Sequence, residues 1–246
     1  MSRVLAVTII GFISGMVGTG LGGVAIFFLN RPSKRFMSIL LGFTGGIMLA
    51  VVCFDLIPQA FGLGGMIIGL LGIILGALGV MVIDSCVLSG FHDIKGDRNA
   101  SFIKSGILLG LGIAIHNFPE GLAIGSGFAA ANYMGMRLAI IIAIHDMPEG
   151  IAMAVPLKIG GYNRQRILVY TILAGIPTGI GAFVGEVLGS ISNIFISLCM
   201  GFAAGAMLFI TCGELIPNTQ SIHKGKVSTM GIILGLLCGL YIIKTI

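Results

Sequence analysis

The 246-residue sequence contains no Trp, and only 9% of its residues are charged, against roughly 25% in a soluble domain. Nine Asp+Glu and four His serve the whole chain. A chain so poor in charge lacks the polar surface that a water-soluble fold of this length needs. It also has no basic tract with which to hold nucleic acid. Without Trp, one of the two usual aromatic markers of a membrane interface is missing. The five Cys (Cys53, Cys86, Cys199, Cys212 and Cys238) show neither disulfide nor zinc-finger spacing and read as small buried hydrophobes.

What is present is apolar. Hydrophobic residues make up 57% of the chain and the mean hydropathy is +1.10. Uncharged runs recur at the length of a membrane-crossing helix, about 20 residues. They predict eight spans, over 4–29, 36–60, 64–88, 101–129, 136–157, 166–189, 193–217 and 227–246. The runs lack the short alternation of barrel strands. The expected fold is therefore an all-α integral membrane protein, and its 40 Gly suit close helix packing in a bilayer. Arg3 followed by an apolar run has the outline of a signal peptide. The run is too long for an h-region and lacks a clear small-x-small cleavage site, so it reads as a helix.

The net charge of +5 is explained by where the cations lie. With eight spans, one face receives Arg31, Lys34, Arg35, Lys95, Arg98, Lys104, Lys158, Arg164, Arg166, Lys224 and Lys226. The other receives Arg3, Arg137 and Lys244. This asymmetry puts the first face in the cytoplasm and both termini outside, in a multi-pass protein of the cell (plasma or inner) membrane.

The chain also matches itself at an offset of 159 residues. Gly42–Gln59 (GFTGGIMLAVVCFDLIPQ) lies over Gly201–Asn218 (GFAAGAMLFITCGELIPN), with nine of eighteen positions identical. The same offset places Thr19 over Thr178, Gly22 over Gly181, and Gly72–Gly76 over Gly231–Gly235. Helices 1–3 thus recur as helices 6–8. Five intervening spans reverse their orientation, which gives an inverted repeat in a 3+2+3 arrangement. Such repeats surround midplane sites in many secondary transporters. One transmembrane transport domain over 1–246 is expected: repeat A over 1–88, a central helix pair over 101–158 and repeat B over 165–246.

The central pair carries the chemistry. Ile113–Gly125 reads IAIHNFPEGLAIG and Ile142–Ala154 reads IAIHDMPEGIAMA. An ionisable side chain in hydrocarbon costs at least ~2.5–3.5 kcal/mol and needs a partner or a function. On a helix, positions i and i+4 share a face, so His116 aligns with Glu120 and His145 with Glu149. Asn117 and Asp146 sit beside them. Facing helices would bring together two imidazoles, three carboxylates and one amide, a mixed N/O set suited to divalent first-row metals. Pro119 and Pro148 each remove a backbone N–H, loosening backbone that is tolerated where it lines a cavity.

HNFPEG in one helix and HDMPEG in the next resemble the paired metal-binding motifs of the ZIP (Zrt/Irt-like) divalent metal transporters, most closely the GufA-like prokaryotic branch. The resemblance covers the whole chain. It implies import of divalent metal towards the cytoplasm, zinc first, with iron, manganese, cobalt or cadmium as further substrates. It also implies a binuclear site. His116, Asn117 and Glu120 match the fourth-helix ligands, and His145, Asp146 and Glu149 the fifth-helix ligands, with Glu120 and Glu149 bridging. Met48 matches a thioether position near the first metal, and Glu186, the lone carboxylate of helix 6, a ligand of the second. The metal is then cargo, and no resident cofactor or enzymatic activity is expected. The partners are divalent metal ions and the lipid bilayer, and a homodimer is left open. One departure is the 3–4 loop, which holds only His92, Asp93 and Asp97 where many relatives carry a His-rich tract.

Asp55 and Glu214 each close an apolar run just before a Pro. Inversion assigns them to the external and cytoplasmic mouths, as cation attractors or as solvated interface residues. Two other functions compete: an intramembrane zinc-dependent hydrolase and a proton or solute carrier using the His/Glu pairs as a relay. No HExxH-type set supports the first, and no aromatic or amide-rich pocket the second. Ligand His must be unprotonated, so metal binding should weaken as pH falls towards ~6.5.

Overall fold

A computed structural model describes residues 3–28, 32–88, 98–223 and 225–245. The loop residues His92, Asp93, Lys95 and Asp97, together with Arg31 and Lys224, lie outside the described residues. Among the described residues every element is helical. In chain order these are α1 (Arg3–Ala25), α2 (Lys34–Val51), α3 (Ile57–Leu88), α4 (Arg98–Ala130), α5 (Asn132–Ile159), α6 (Arg164–Ala174), α7 (Ile176–Gly189), α8 (Asn193–Ile210), α9 (Ile216–Ile222) and α10 (Lys226–Thr245). Two five-residue π-helical turns, Val52–Leu56 and Thr211–Leu215, join α2 to α3 and α8 to α9.

Seven of the described helices or helix runs are long and apolar enough to cross a membrane, where the sequence suggests eight. The difference falls at one place. Lys34–Ile83 forms a single 50-residue run, and at 1.5 Å per residue it would reach about 75 Å, far more than the ~30 Å hydrocarbon core needs. Gly65, at φ 80° and ψ 165°, interrupts it. That backbone region is open essentially to Gly alone, at a cost of about 1–3 kcal/mol for other residues. Gly65→Ala is therefore expected to lower the apparent Tm in detergent even though a Cβ there meets no neighbour. An unchanged Tm would mean that the break is not held in this conformation.

The helices pack in two groups. α1, α4, α5, α6 and α7 lie against one another, while α2 packs on α10 and α3 on α8. Backbones touch at the crossings, as small residues allow in membranes. A Cβ on Gly235 would overlap the Phe43 carbonyl oxygen, and one on Gly76 that of Phe202. These two contacts are 159 residues apart on both sides.

Other features recur at that spacing. The Ser33 and Ser192 side chains cap α2 and α8, accepting from the Phe36 and Phe195 N–H groups. Ser38 Oγ donates to Thr219 O at 2.8 Å and Ser197 Oγ to Ala60 O at 2.7 Å. The π turns also match, each ahead of a Pro that lacks a donor for the helical ladder. Ile57 N–H reaches back five residues to Val52 O, and Ile216 N–H to Thr211 O. Turns of this kind gather at functional sites.

Candidate metal site

The two His/Pro/Glu motifs fall inside α4 and α5, with Pro119 and Pro148 internal to the helices. The Gly after each Glu sets the crossing. A Cβ on Gly121 would overlap the Thr178 carbonyl of α7, and one on Gly150 the Thr19 carbonyl of α1. Each motif helix is thus held backbone to backbone, with no side chain between.

Glu120, His145 and Asp146 converge: one ligand atom from each lies within 4.8 Å of the others, and all three side chains are fully buried. His145 Nε2 is 3.0 Å from Glu120 Oε1 and 3.5 Å from Asp146 Oδ1. On the other side of the ring, Nδ1 is 3.1 Å from Ile141 O. A carbonyl only accepts, so Nδ1 carries the proton and donates. In the neutral ring Nε2 then presents a lone pair towards two carboxylates. Such an arrangement needs a cation or a further proton at its centre. The backbone carbonyl fixes the ring as second-shell acceptors do for metal-ligating His.

The remaining oxygens point the same way. Glu120 Oε2, both Asp146 oxygens, Glu149 Oε2 and Asn117 Oδ1 are buried without a hydrogen-bond partner. Buried polar groups are nearly always paired, and an unpaired carboxylate is costly. Five acceptors left open on two adjacent helices form a site for positive charge.

His116 and Glu149 stand at the edge of this cluster and line a cavity of about 750 Å³. Glu214, from the second π turn, faces them, with His116 Nε2 at 4.0 Å from Glu214 Oε2. The cavity continues past Leu109 to Lys34, Ile159 and Ile222 at the helix ends. The opposite half of the helix pair is dry. Ile124 and Phe128 of α4 and Met134 and Leu138 of α5 pack with Leu56 and Met200 in one apolar core.

Three residues of the expected ligand set have other partners. Asn117 Nδ2 donates to Ala174 O at 2.7 Å, where α6 gives way to α7. The buried Met48 sulfur accepts from Thr211 Oγ1 at 3.6 Å. Glu186 is level with Gly125 of α4 and pairs with Arg3 at 2.8 Å, and Arg3 also donates to the Phe128 carbonyl.

Asp55 needs a correction. The sequence suggests a cation attractor at a mouth or a solvated interface residue; solvation is excluded, because Asp55 is buried and paired with Arg137 Nη2 at 2.5 Å. By loop-charge counting, Arg137 is only one of the three cations of the outer face. It sits inside α5, about 8% exposed. The signal was available: a lone cation and a lone carboxylate inside apolar spans call for each other.

Residues 95–246 match the model of the family described as ZIP Zinc transporter. The chain is 36% identical over 238 residues to zinc transporter ZIPB of Bordetella bronchiseptica, covering 92% of this chain and 77% of that protein. It is 30% identical over 239 residues to zinc transporter ZupT of Streptococcus mutans, with 90% of each covered. A ZupT of Chlorobium limicola is 29% identical over 257 residues, covering 96% of each.

Proposed function

The chain belongs to the ZIP zinc transporter family, and from that premise we propose that it carries zinc across a membrane towards the cytoplasm through a binuclear site between α4 and α5. It is a multi-pass membrane transporter of divalent metal and not an enzyme, so the hydrolase alternative is not favoured. The observation that carries the site is the set of buried, unpaired acceptors around His145. Iron, manganese, cobalt and cadmium are the competing substrates for such a mixed N/O set.

In this reading Glu120, His145 and Asp146 hold one ion, and His116 and Glu149 a second at the head of the cavity. Glu120 and Glu149 bridge the two, and Asn117 adds its open oxygen. Met48 and Glu186 join only by giving up Thr211 and Arg3. Glu214, facing His116 across the cavity, is the next carboxylate along the exit.

The scaffold reading is an eight-span inverted repeat with both termini outside: repeat A over 1–88, the helix pair over 101–158 and repeat B over 165–246. The break at Gly65 supports counting Lys34–Ile83 as two spans. The hydrogen bonds, π turns and backbone contacts that recur 159 residues apart support the repeat. The cavity reaches the ends of α4 and α5 that adjoin the cationic loops, which supports reading this conformation as open to the cytoplasm. Transport follows if α1, α4, α5, α6 and α7 shift together against α2, α3, α8, α9 and α10.

The test is uptake of radiolabelled zinc by the purified chain in liposomes, followed by competition with the other divalent ions. Saturable uptake that excess unlabelled divalent metal suppresses is the expected result. No uptake of any divalent metal, with the protein folded and inserted, would overturn the reading.

A further inference from the structure

Two buried carboxylates outside the metal cluster are held by arginines, and the two pairs differ in what they join. Arg3 and Glu186 sit on α1 and α7, within one helix group, so their pair travels with that group. Arg137 is on α5 in the same group, but its partners are in the other. Nη2 binds Asp55 in the first π turn, and Nη1 donates to Ile243 O in the last turn of α10 at 3.2 Å. A helix C-terminus has carbonyls without intrahelical partners and favours a cation. One guanidinium therefore ties α5 to two elements against which it would have to move.

The tie lies in the dry half of the molecule. Arg137 is eight residues before His145 on α5, about 12 Å along the axis at 1.5 Å per residue. Between them the Ile141 side chain is fully buried. The pair is also poorly satisfied, because Asp55 Oδ2 and Arg137 Nε are buried with no hydrogen-bond partner. A buried ion pair with open valences contributes little to stability, and its best-attested use is to select one of two states. The second carboxylate oxygen is free to take another cation once the guanidinium leaves.

Resting on the transport reading above, we propose that Arg137 is a tethered cation that seals the outer mouth by occupying Asp55, and that Asp55 receives the incoming divalent metal when the mouth opens. With the cytoplasmic cavity open, the guanidinium fills the carboxylate and blocks back-flow. When α5 swings with its group, Arg137 is withdrawn from Asp55 and Ile243. The exposed carboxylate then attracts a hydrated divalent ion one helix turn or more outward of Met48. The tether and the metal compete for one charge, so the mouth cannot be sealed and loaded at once.

The experiment uses the full chain in liposomes, with its five Cys replaced and one reporter introduced, Ile141→Cys, read with a membrane-impermeant thiol reagent from outside. With Arg137 and Asp55 intact, labelling is slow. Breaking a buried pair is costly to the state that holds it, so Arg137→Met should speed labelling by at least about tenfold, while Arg137→Lys keeps it slow. External zinc should then slow labelling in Arg137→Met, but not in Arg137→Met with Asp55→Asn. The double variant removes both charges and can fold where the single one does not; fast labelling in it supports the seal. Slow labelling in both overturns the seal, and equal zinc protection with and without Asp55 overturns its role as the receiving carboxylate. Failure of the transport reading shows separately, as absence of zinc uptake by the chain carrying no substitution.

Discussion

Replacing His145 by Ala is expected to cut zinc uptake into liposomes by at least about 100-fold. Loss of a group that merely orients a ligand already costs 10–100-fold in affinity or activity, and a ligand itself should reach the top of that range. His145 is the ring on which the cluster closes, with Glu120 at 3.0 Å, Asp146 at 3.5 Å and Ile141 O fixing the far nitrogen. Without it, the buried Glu120 and Asp146 carboxylates face one another with no nitrogen between them. Binding should then be weaker and shift towards harder oxygen-seeking ions. Glu120→Gln should behave alike, since it removes the charge but keeps the shape. Zinc uptake within threefold of the unsubstituted chain, at matched amounts of inserted protein, would remove His145 from the site.

The second large effect is on stability. A methyl group at Gly235 would overlap the Phe43 carbonyl oxygen of α2, where both sides of the contact are backbone and neither can rotate away. Overpacking of this kind costs typically 1–3 kcal/mol, which corresponds to a fall of roughly 5 °C in apparent Tm for a chain of this size. Gly76→Ala should lose about as much, because its Cβ would meet the Phe202 carbonyl in the counterpart crossing of α3 with α8. Gly62→Ala is the control: nothing lies within 4 Å of its Cβ, and Ala favours a helix. If Gly235→Ala melts with Gly62→Ala, the helices do not touch as closely as described.

Much of the candidate site was legible because it is local. His116 with Glu120, and His145 with Glu149, are one helical turn apart. A helix places such pairs on one face whatever surrounds it. The pairing of the motifs also told which residues to watch. What spacing could not tell is how six candidates divide. Glu120, His145 and Asp146 close on one point, His116 and Glu149 turn to the cavity, and Asn117 spends its amide on Ala174. That division depends on the rotation of α4 against α5, which the contacts of Gly121 with α7 and Gly150 with α1 decide.

Asp55 and Glu214 show the same limit more sharply. They occupy matching places in matching π turns, and the sequence treats them as equivalents. In the structure Asp55 is buried under Arg137, whereas Glu214 borders the cavity opposite His116. The asymmetry follows the two halves of the α4–α5 pair. One half of the α4–α5 interface is packed and the other is open.

Composition and periodicity by themselves determined that the chain is helical and lives in a bilayer, because those properties follow from each residue's own transfer free energy and from the helix repeat. They also marked the charged residues that a membrane tolerates only for a function. Only the tertiary structure decided which of those charges neutralise one another and which stay open for a metal. Pairing is a matter of a few ångströms between residues as far apart as 55 and 137 or 3 and 186. No local rule reaches across that separation; the close backbone crossings do.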